Sequence, residues 1–290
     1  MKVFLAFTAV LVLGYMSLGG GFAERAEARF GALAAGDLGA LVGAYAPGAE
    51  AFFLGTPRAG FLAGEEIPSA WEALLRALPP VEPGVVALLE MPGASTVVAA
   101  LSLGDGLRAI WALAFDPEGR VVGEDLLVYG LPGLPQPPYP DGVIAAGEYP
   151  HRVEAAGVEF SFRNGTLLLF GALRSPGTGW VAVGFDPEQR MRGANIIFAW
   201  VDGGGATVED HYGSGPTSHG KDEHPHVFLA AGAEAKGETT VEFVIPLASG
   251  DPEDKDLQRK RSYTVILAYH RSHDGFRRHT ARGRAEIILD

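Results

Sequence analysis

The chain has 290 residues and a formal net charge of −12, with 23 Lys and Arg against 35 Asp and Glu, which excludes the clustered basic surface that nucleic-acid binding needs. It has no cysteine, so disulfides, thiolate metal sites and cofactors attached through Cys-x-x-Cys-His are excluded as well. A hydrophobic share of 47% with 40 glycines and 20 prolines describes two globular domains of ordinary size, built from strands and turns more than from long helices.

The first segment, MKVFLAFTAVLVLGYMSLGGGFAERAE, has one cation at Lys2 and an apolar run from Val3 to about Leu18. Small residues precede Ala23. This is the layout of a secretory signal over residues 1–23, with an uncleaved N-terminal membrane anchor as the alternative. Either reading places the remainder in a secreted or periplasmic location.

Next comes ERAEARFGALAAGDLGALVGAYAPGAEAFFLG. Phe30 and Leu33 fall in a first helix; after a Gly-Asp break, Leu38, Leu41, Val42 and Tyr45 recur at helical spacing behind Asp37 as N-cap. Glu50 to Leu54 reads as a strand. A third helix from about Glu65 to Leu78 presents Ile67, Trp71, Leu74, Leu75 and Leu78 on one face. Four strand-length runs, VVALLEM, STVVAALSL, LRAIWALAF and RVVGEDLLVY, then alternate with turns. Helices followed by an antiparallel meander predict an α+β domain over residues 24–130.

The order GDLGALVGAYAPGAEAFFLG, then GEEIPSAWEALLRAL, then the meander resembles the SnoaL-like branch of the nuclear transport factor 2-like superfamily. The resemblance implies a cone, a curved antiparallel sheet wrapped around helices. Relatives of this kind include isomerases, cyclases and dehydratases, while many only bind ligands or partners. This half contains no histidine, and Asp37, Glu65 and Glu66 are explained as caps and dipole partners at helix starts. A binding role is therefore expected ahead of an isomerase-like or cyclase-like activity, with a small molecule in the cone as one ligand.

LPGLPQPPYPDGVIAAGEYP follows, with prolines at 132, 135, 137, 138 and 140, and predicts a proline-rich linker over residues 131–147. All eight histidines lie beyond it.

From residue 148 the hydrophobic period becomes two. VEFSF, TLLLFGAL, GWVAVGF, ANIIFAWVD, TTVEFVIPL, YTVILAYH and RAEIIL predict an all-β sandwich of immunoglobulin-like type to residue 290. Met191, the last of four methionines, interrupts this pattern: it sits between Arg190 and Arg192 in a charged loop. Methionine recruited for packing normally sits among apolar neighbours.

GWVAVGFDPEQRMRGANIIFAWVDGGGATVEDHYGSGPTSH, ETTVEFVIPLASGDPEDK and YTVILAYHRSHDGFRRHTARGRAEIIL together resemble the bacterial haem-binding DOMON domain, a b-type cytochrome module. The resemblance implies a non-covalent haem b with Met191 and His279 as axial metal ligands, and so an electron-transfer role with an unidentified redox partner. His270 is the competing histidine, because His270, His273 and His279 share one hairpin-sized segment. Arg192 is a candidate propionate partner beside Arg190, Arg271, Arg277, Arg278 and Arg282. Trp180, Phe185, Ile197 and Trp200 are candidate apolar walls, and His219 is a candidate for the pocket lining. A secreted small-molecule or carbohydrate-binding protein without haem is the alternative. A further cluster, PTSHGKDEHPH, collects His219, His224 and His226 with Asp222 and Glu223, and its spacing predicts a solvated loop and no defined metal site.

Overall fold

The computed structural model describes residues 21–203 and 205–290. The signal or anchor expected over residues 1–23 lies mostly outside the described residues, and among those described no helix is long and apolar enough to cross a membrane.

Helix α1 (Phe22–Ala35) stops at Gly36, whose backbone at φ 64° lets its N–H reach the carbonyls of Ala32 and Leu33. Asp37 caps α2 (Leu38–Gly43) by accepting from the Ala40 N–H. Helix α3 (Glu66–Ala77) buries Ile67, Ala70, Trp71 and Leu74, the stripe expected of its period. Six strands accompany these helices: β1 (Tyr45–Leu54), β2 (Gly60–Ala63), β3 (Gly84–Met91), β4 (Thr96–Gly104), β5 (Leu107–Phe115) and β6 (Val121–Tyr129). Their order is β2-β1-β6-β5-β4-β3, and β1 runs parallel to β6, so the sheet is mixed and not purely antiparallel as expected. Tyr45, read as the last residue of a helical face, instead opens β1.

The C-terminal half forms two further sheets. One has the order β14-β15-β9-β8-β7, from β7 (His151–Ala155), β8 (Val158–Asn164), β9 (Leu168–Pro176), β14 (Leu229–Ala235) and β15 (Glu238–Pro246). The other has the order β13-β12-β11-β10-β16-β17, from β10 (Val181–Phe185), β11 (Asn195–Asp202), β12 (Gly205–Gly215), β13 (Ser218–Lys221), β16 (Ser262–Tyr269) and β17 (Ala281–Ile288). Both contribute to one core, in which Phe160, Phe162, Phe185, Phe243, Ile197 and Leu267 are buried.

Alternation along each strand then decides how the sheets stack. In β4 and β5, Val97, Ala99, Leu101, Trp111 and Leu113 face the helices, whereas Val98, Ile110 and Ala112 face away. That second face, with Leu127 and Tyr129, packs against Leu168, Phe170 and Val244 of β9 and β15. The same two strands send Leu169, Leu173, Val241 and Phe243 into the sandwich core. The molecule is thus four layers deep, helices on one side and three sheets behind them.

Buried carboxylates brace the stack. Asp125 of β6 accepts from the backbone N–H groups of Thr166, Leu167 and Leu168 at 2.6 to 2.9 Å, across the boundary between the halves. Gly165 is required there, since a Cβ would lie 2.3 Å from the Asp125 carboxylate. Glu242 of β15 accepts from the N–H groups of Asp141, Gly142 and Val143 and from the Tyr149 hydroxyl. Those bonds, with buried Pro137, Pro138 and Pro140, hold the proline-rich segment against the sheets. The segment expected as a spacer is part of the packed structure.

A third carboxylate, Glu124, lies at the centre of the N-terminal unit with no exposed surface. It accepts from Arg29 (2.9 Å), the Trp111 indole (2.6 Å) and the Tyr45 hydroxyl, while Tyr45 in turn accepts from the Trp71 indole at 2.9 Å. Burial pushes the Glu124 carboxyl up to about 7, against the pull of Arg29. Because removing one partner strands the other charge, Arg29→Met should lower stability by about 3–5 kcal/mol in urea denaturation.

Burial likewise raises the Glu242 carboxyl to about 7, opposed by its N–H and hydroxyl donors. A carboxyl raised on folding stabilises the folded state fully below its ordinary value near 4.5, and that contribution is lost as the pH climbs through about 7. Between about pH 5 and about pH 8 the wild type should therefore lose urea resistance relative to Glu242→Gln, whose side chain carries no charge at either pH.

Candidate functional site

The outer face of the third sheet, opposite the sandwich core, carries a cavity of about 810 Å³. Its floor is Ala182 and Gly184 of β10, Ile196 and Phe198 of β11, and Ile266 and Ala268 of β16. Small residues in the middle and larger ones around them leave the concavity. This alternation corrects two expected walls: Phe185 and Ile197 point into the sandwich core, because they have the opposite parity to Gly184 and Ile196.

Two loops raise the walls. In the first, between β10 and β11, the Glu188 N–H donates to Arg192 and the Arg192 N–H to Gln189, a tight turn with Arg190 at φ 57°. That turn presents Arg190 and half-buried Met191 to the cavity. Arg192, a predicted propionate partner, is exposed and outside the lining. The Met191 carbonyl accepts from the Ala194 N–H, while the Gly193 N–H donates to the Gly213 carbonyl and the Gly213 N–H to the Ala194 carbonyl, both at 2.8 Å, fixing the turn to the C-terminal end of β12.

The second loop, between β16 and β17, brings Phe276, Arg277, Arg278 and His279, with Arg282 and Arg284 following on β17. Met191 and His279 therefore line one cavity, although 88 positions apart in the sequence numbering. His270 is not in the lining. Its Nδ1 accepts from the Ser272 and His273 N–H groups at 3.2 and 3.1 Å, so this imidazole shapes the loop. Arg271 is also outside, its carbonyl and N–H used by Thr178 and Thr280. Trp200 is outside the lining and stands beside Phe198 on the same face of the sheet, edge-on to it with ring centroids 5.9 Å apart.

His219 does line the cavity, close to Phe198 and Phe276. Its Nδ1 is 3.2 Å from Nδ1 of His211, whose Nε2 is 3.0 Å from Glu209, which also binds Lys221. Burial and His211 together lower the His219 pKa. The His279 pKa is lowered too, first by burial and then by Arg282 and Arg278. Both imidazoles are thereby biased to the neutral form that accepts a metal or a hydrogen bond.

The cavity has a cationic rim, an apolar floor and one unmet donor. Arg190, Arg277, Arg278, Arg282 and Arg284 form the rim of a protein whose net charge is −12. The indole N–H of Trp180 is buried on the cavity wall without a hydrogen-bond partner in the protein. Sequence reading missed the floor residues Ile196, Phe198 and Ile266 together with Phe276 and Arg284; Phe276 sits in a polar loop, and its place in the wall shows only once its ring lies 5.0 Å from that of Phe198.

Residues 158–270 match the DOMON domain family. The match spans most of the two C-terminal sheets, from the start of β8 to the residue after β16, and includes Met191 but stops short of His279. No curated protein matches the chain. Among solved structures, the cytochrome b domain of pyranose dehydrogenase from Coprinopsis cinerea is similar at 12% identity, covering 47% of this chain and 80% of that one with a TM-score of 0.38. A SnoaL-like protein of unknown function from Burkholderia thailandensis is 26% identical, covering 39% of this chain and 99% of its own, with a TM-score of 0.33. A steroid delta-isomerase from Pseudomonas aeruginosa is 21% identical over 41% of this chain and 86% of that one, with a TM-score of 0.32.

The turn carrying Met191 has a specific weak point. A Cβ on Gly213 would lie 1.7 Å from the Met191 carbonyl oxygen, which is backbone and has no rotamer to yield. Gly213→Ala should cost about 1–3 kcal/mol and displace the amide resonances of residues 189–194, while those of β8 and β15 stay in place.

Proposed function

We propose that the DOMON region binds haem b without covalent attachment and serves in electron transfer, with Met191 and His279 as the two axial ligands. The observation that carries this reading is that a thioether and an imidazole, far apart in sequence, line the same cavity of about 810 Å³. That volume falls in the range of cofactor sites, roughly 300–1,000 Å³.

The other residues suit the group. A neutral His279 is the form that coordinates iron, and its lowered pKa weakens the competition from a proton. Arginines at the rim offer charge-assisted hydrogen bonds to carboxylate groups of a ligand, and the Trp180 N–H offers one more. Phe198, Ile196 and Ile266 exclude water from an apolar ring system. When bound, haem would supply one-electron chemistry, its ferrous state favoured by a thioether ligand. Met191 and His279 would hold it, and the arginine rim and the apolar floor would orient and desolvate it.

We further propose that residues 24–130 act as a SnoaL-like unit and 148–290 as an immunoglobulin-like sandwich, joined through 131–147 and held outside the cytoplasm by the signal or anchor read in residues 1–23. Trp71 and Trp111 fill the centre of the N-terminal unit, and every oxygen of Glu124 has a donor. A scaffolding or partner-binding role suits that interior better than a small-molecule or isomerase-like one.

Titration of the purified protein with haem should give one equivalent of a six-coordinate, low-spin species in both oxidised and dithionite-reduced spectra. Met191→Ala should convert it to high-spin or haem-free protein. A cavity that ignores haem and takes up a sugar or another small molecule would overturn the proposal in favour of the binding-protein reading, and an unchanged Met191→Ala spectrum would overturn the ligand.

A further inference from the structure

The PTSHGKDEHPH stretch, expected as a solvated loop, is partly interior. Asp210 of β12 is 1% exposed and Asp222, just after β13, is 4% exposed. Asp222 donates its backbone N–H to the Asp210 carbonyl, which brings the two carboxylates onto neighbouring positions. Facing them is the 249–254 loop between β15 and β16, which supplies Asp251 and Asp254.

Two sets of donors result. One oxygen of Asp210, one of Asp254 and a ring nitrogen of His226 lie within 4.8 Å of one another; so do donor atoms of Asp222, His224 and Asp251. The loops are built to hold them. Asp210 Oδ2 accepts from the His226 N–H (2.8 Å) and Asp222 Oδ1 from the His224 N–H (2.7 Å). Ser249 donates to Asp254 at 2.5 Å and accepts from the Asp251 N–H, while Asp251 Oδ1 accepts from Glu253.

What these bonds leave over points to a ligand. Asp210 Oδ1, Asp222 Oδ2 and His226 Nδ1 are buried without a hydrogen-bond partner, His226 Nδ1 lying 3.0 Å from Asp254 but out of line for a hydrogen bond. Among the described residues no lysine or arginine is paired with any of the four aspartates; the nearby Lys221 and Lys255 bind Glu209 and Glu188 instead. A group of carboxylates buried without a cation is costly.

We propose that Asp210, His226 and Asp254 form a divalent-cation site, flanked by Asp222, His224 and Asp251, and that it takes a zinc-type ion. Mixed imidazole and carboxylate donors suit zinc, whereas calcium prefers oxygen alone. The cation would supply the missing positive charge and the partner for the orphaned oxygens. It would also join three chain segments far apart in sequence, one of which, at Gly250, packs directly against Gly93 of the N-terminal unit. The competing source of positive charge is a protonated His226, whose Nδ1 lies 3.0 Å from Asp254.

Calorimetry on chelator-treated full-length protein with zinc chloride alone tests the site, followed by manganese and calcium chlorides. One zinc should bind and raise the Tm by about 5 °C at saturating metal. His226→Gln and Asp210→Asn should each abolish that rise, and His279→Ala, at the distant cavity, should keep it. Should Asp210→Asn fail to fold, the wild-type comparison with and without zinc and the His226→Gln variant still decide. Absence of binding by every ion tested would assign the charge to protonated His226 and overturn the proposal. Calcium binding tighter than zinc, or zinc binding that survives both variants, would overturn it equally.

Discussion

Two of the three sheets have both of their apolar faces covered by other elements of the fold, and that constraint organises everything else. Strand β4 contributes Val97 and Ala99 to one core and Val98 to another; strand β9 contributes Leu169 and Leu173 to one and Leu168 and Phe170 to another. Neither sheet can end the stack, because either would leave a broad apolar surface in water. The halves must meet. The contact formed by Val98, Ile110, Leu127, Leu168, Phe170 and Val244 is the result, with Asp125 gripping three N–H groups at its edge. Only the third sheet has an outer face left for a ligand.

Much of this was legible in local pattern. Asp37 before an apolar helix, the Ile67–Trp71–Leu74 stripe and the period of two after residue 148 each translate into an element with little interference from distant residues. Met191 was legible for the opposite reason, as an apolar residue where packing gave no cause for one. The near-continuous apolar runs of β4 and β5 also carried the message that both faces are covered, but a run of that kind does not say what covers them.

The illegible parts depend on partners far along the chain. Tyr45 continues a helical spacing by coincidence and is claimed by β1, where it meets Glu124. Glu124 and Asp125, adjacent in RVVGEDLLVY, look like an exposed acidic pair and are both buried, one facing Arg29 and the other the turn at 165–168. The proline-rich segment reads as a spacer until Glu242 supplies its N–H groups with an acceptor. His224 and His226 gain meaning only when the 249–254 loop arrives beside them. His279 and His270 differ by what their loop does with each ring, which spacing does not encode.

The placement of the cavity bears on the order in which the molecule is assembled. Ala182, Gly184 and Ala268 sit on strands whose opposite faces are already secured by Val181, Val183, Phe185 and Leu267 in the sandwich core. Folding therefore has its driving force without anything in the cavity, unlike domains whose only core is their cofactor. The scaffold therefore does not depend on what the cavity holds, and an occupant of the kind proposed could be delivered, withheld or exchanged without putting it at risk.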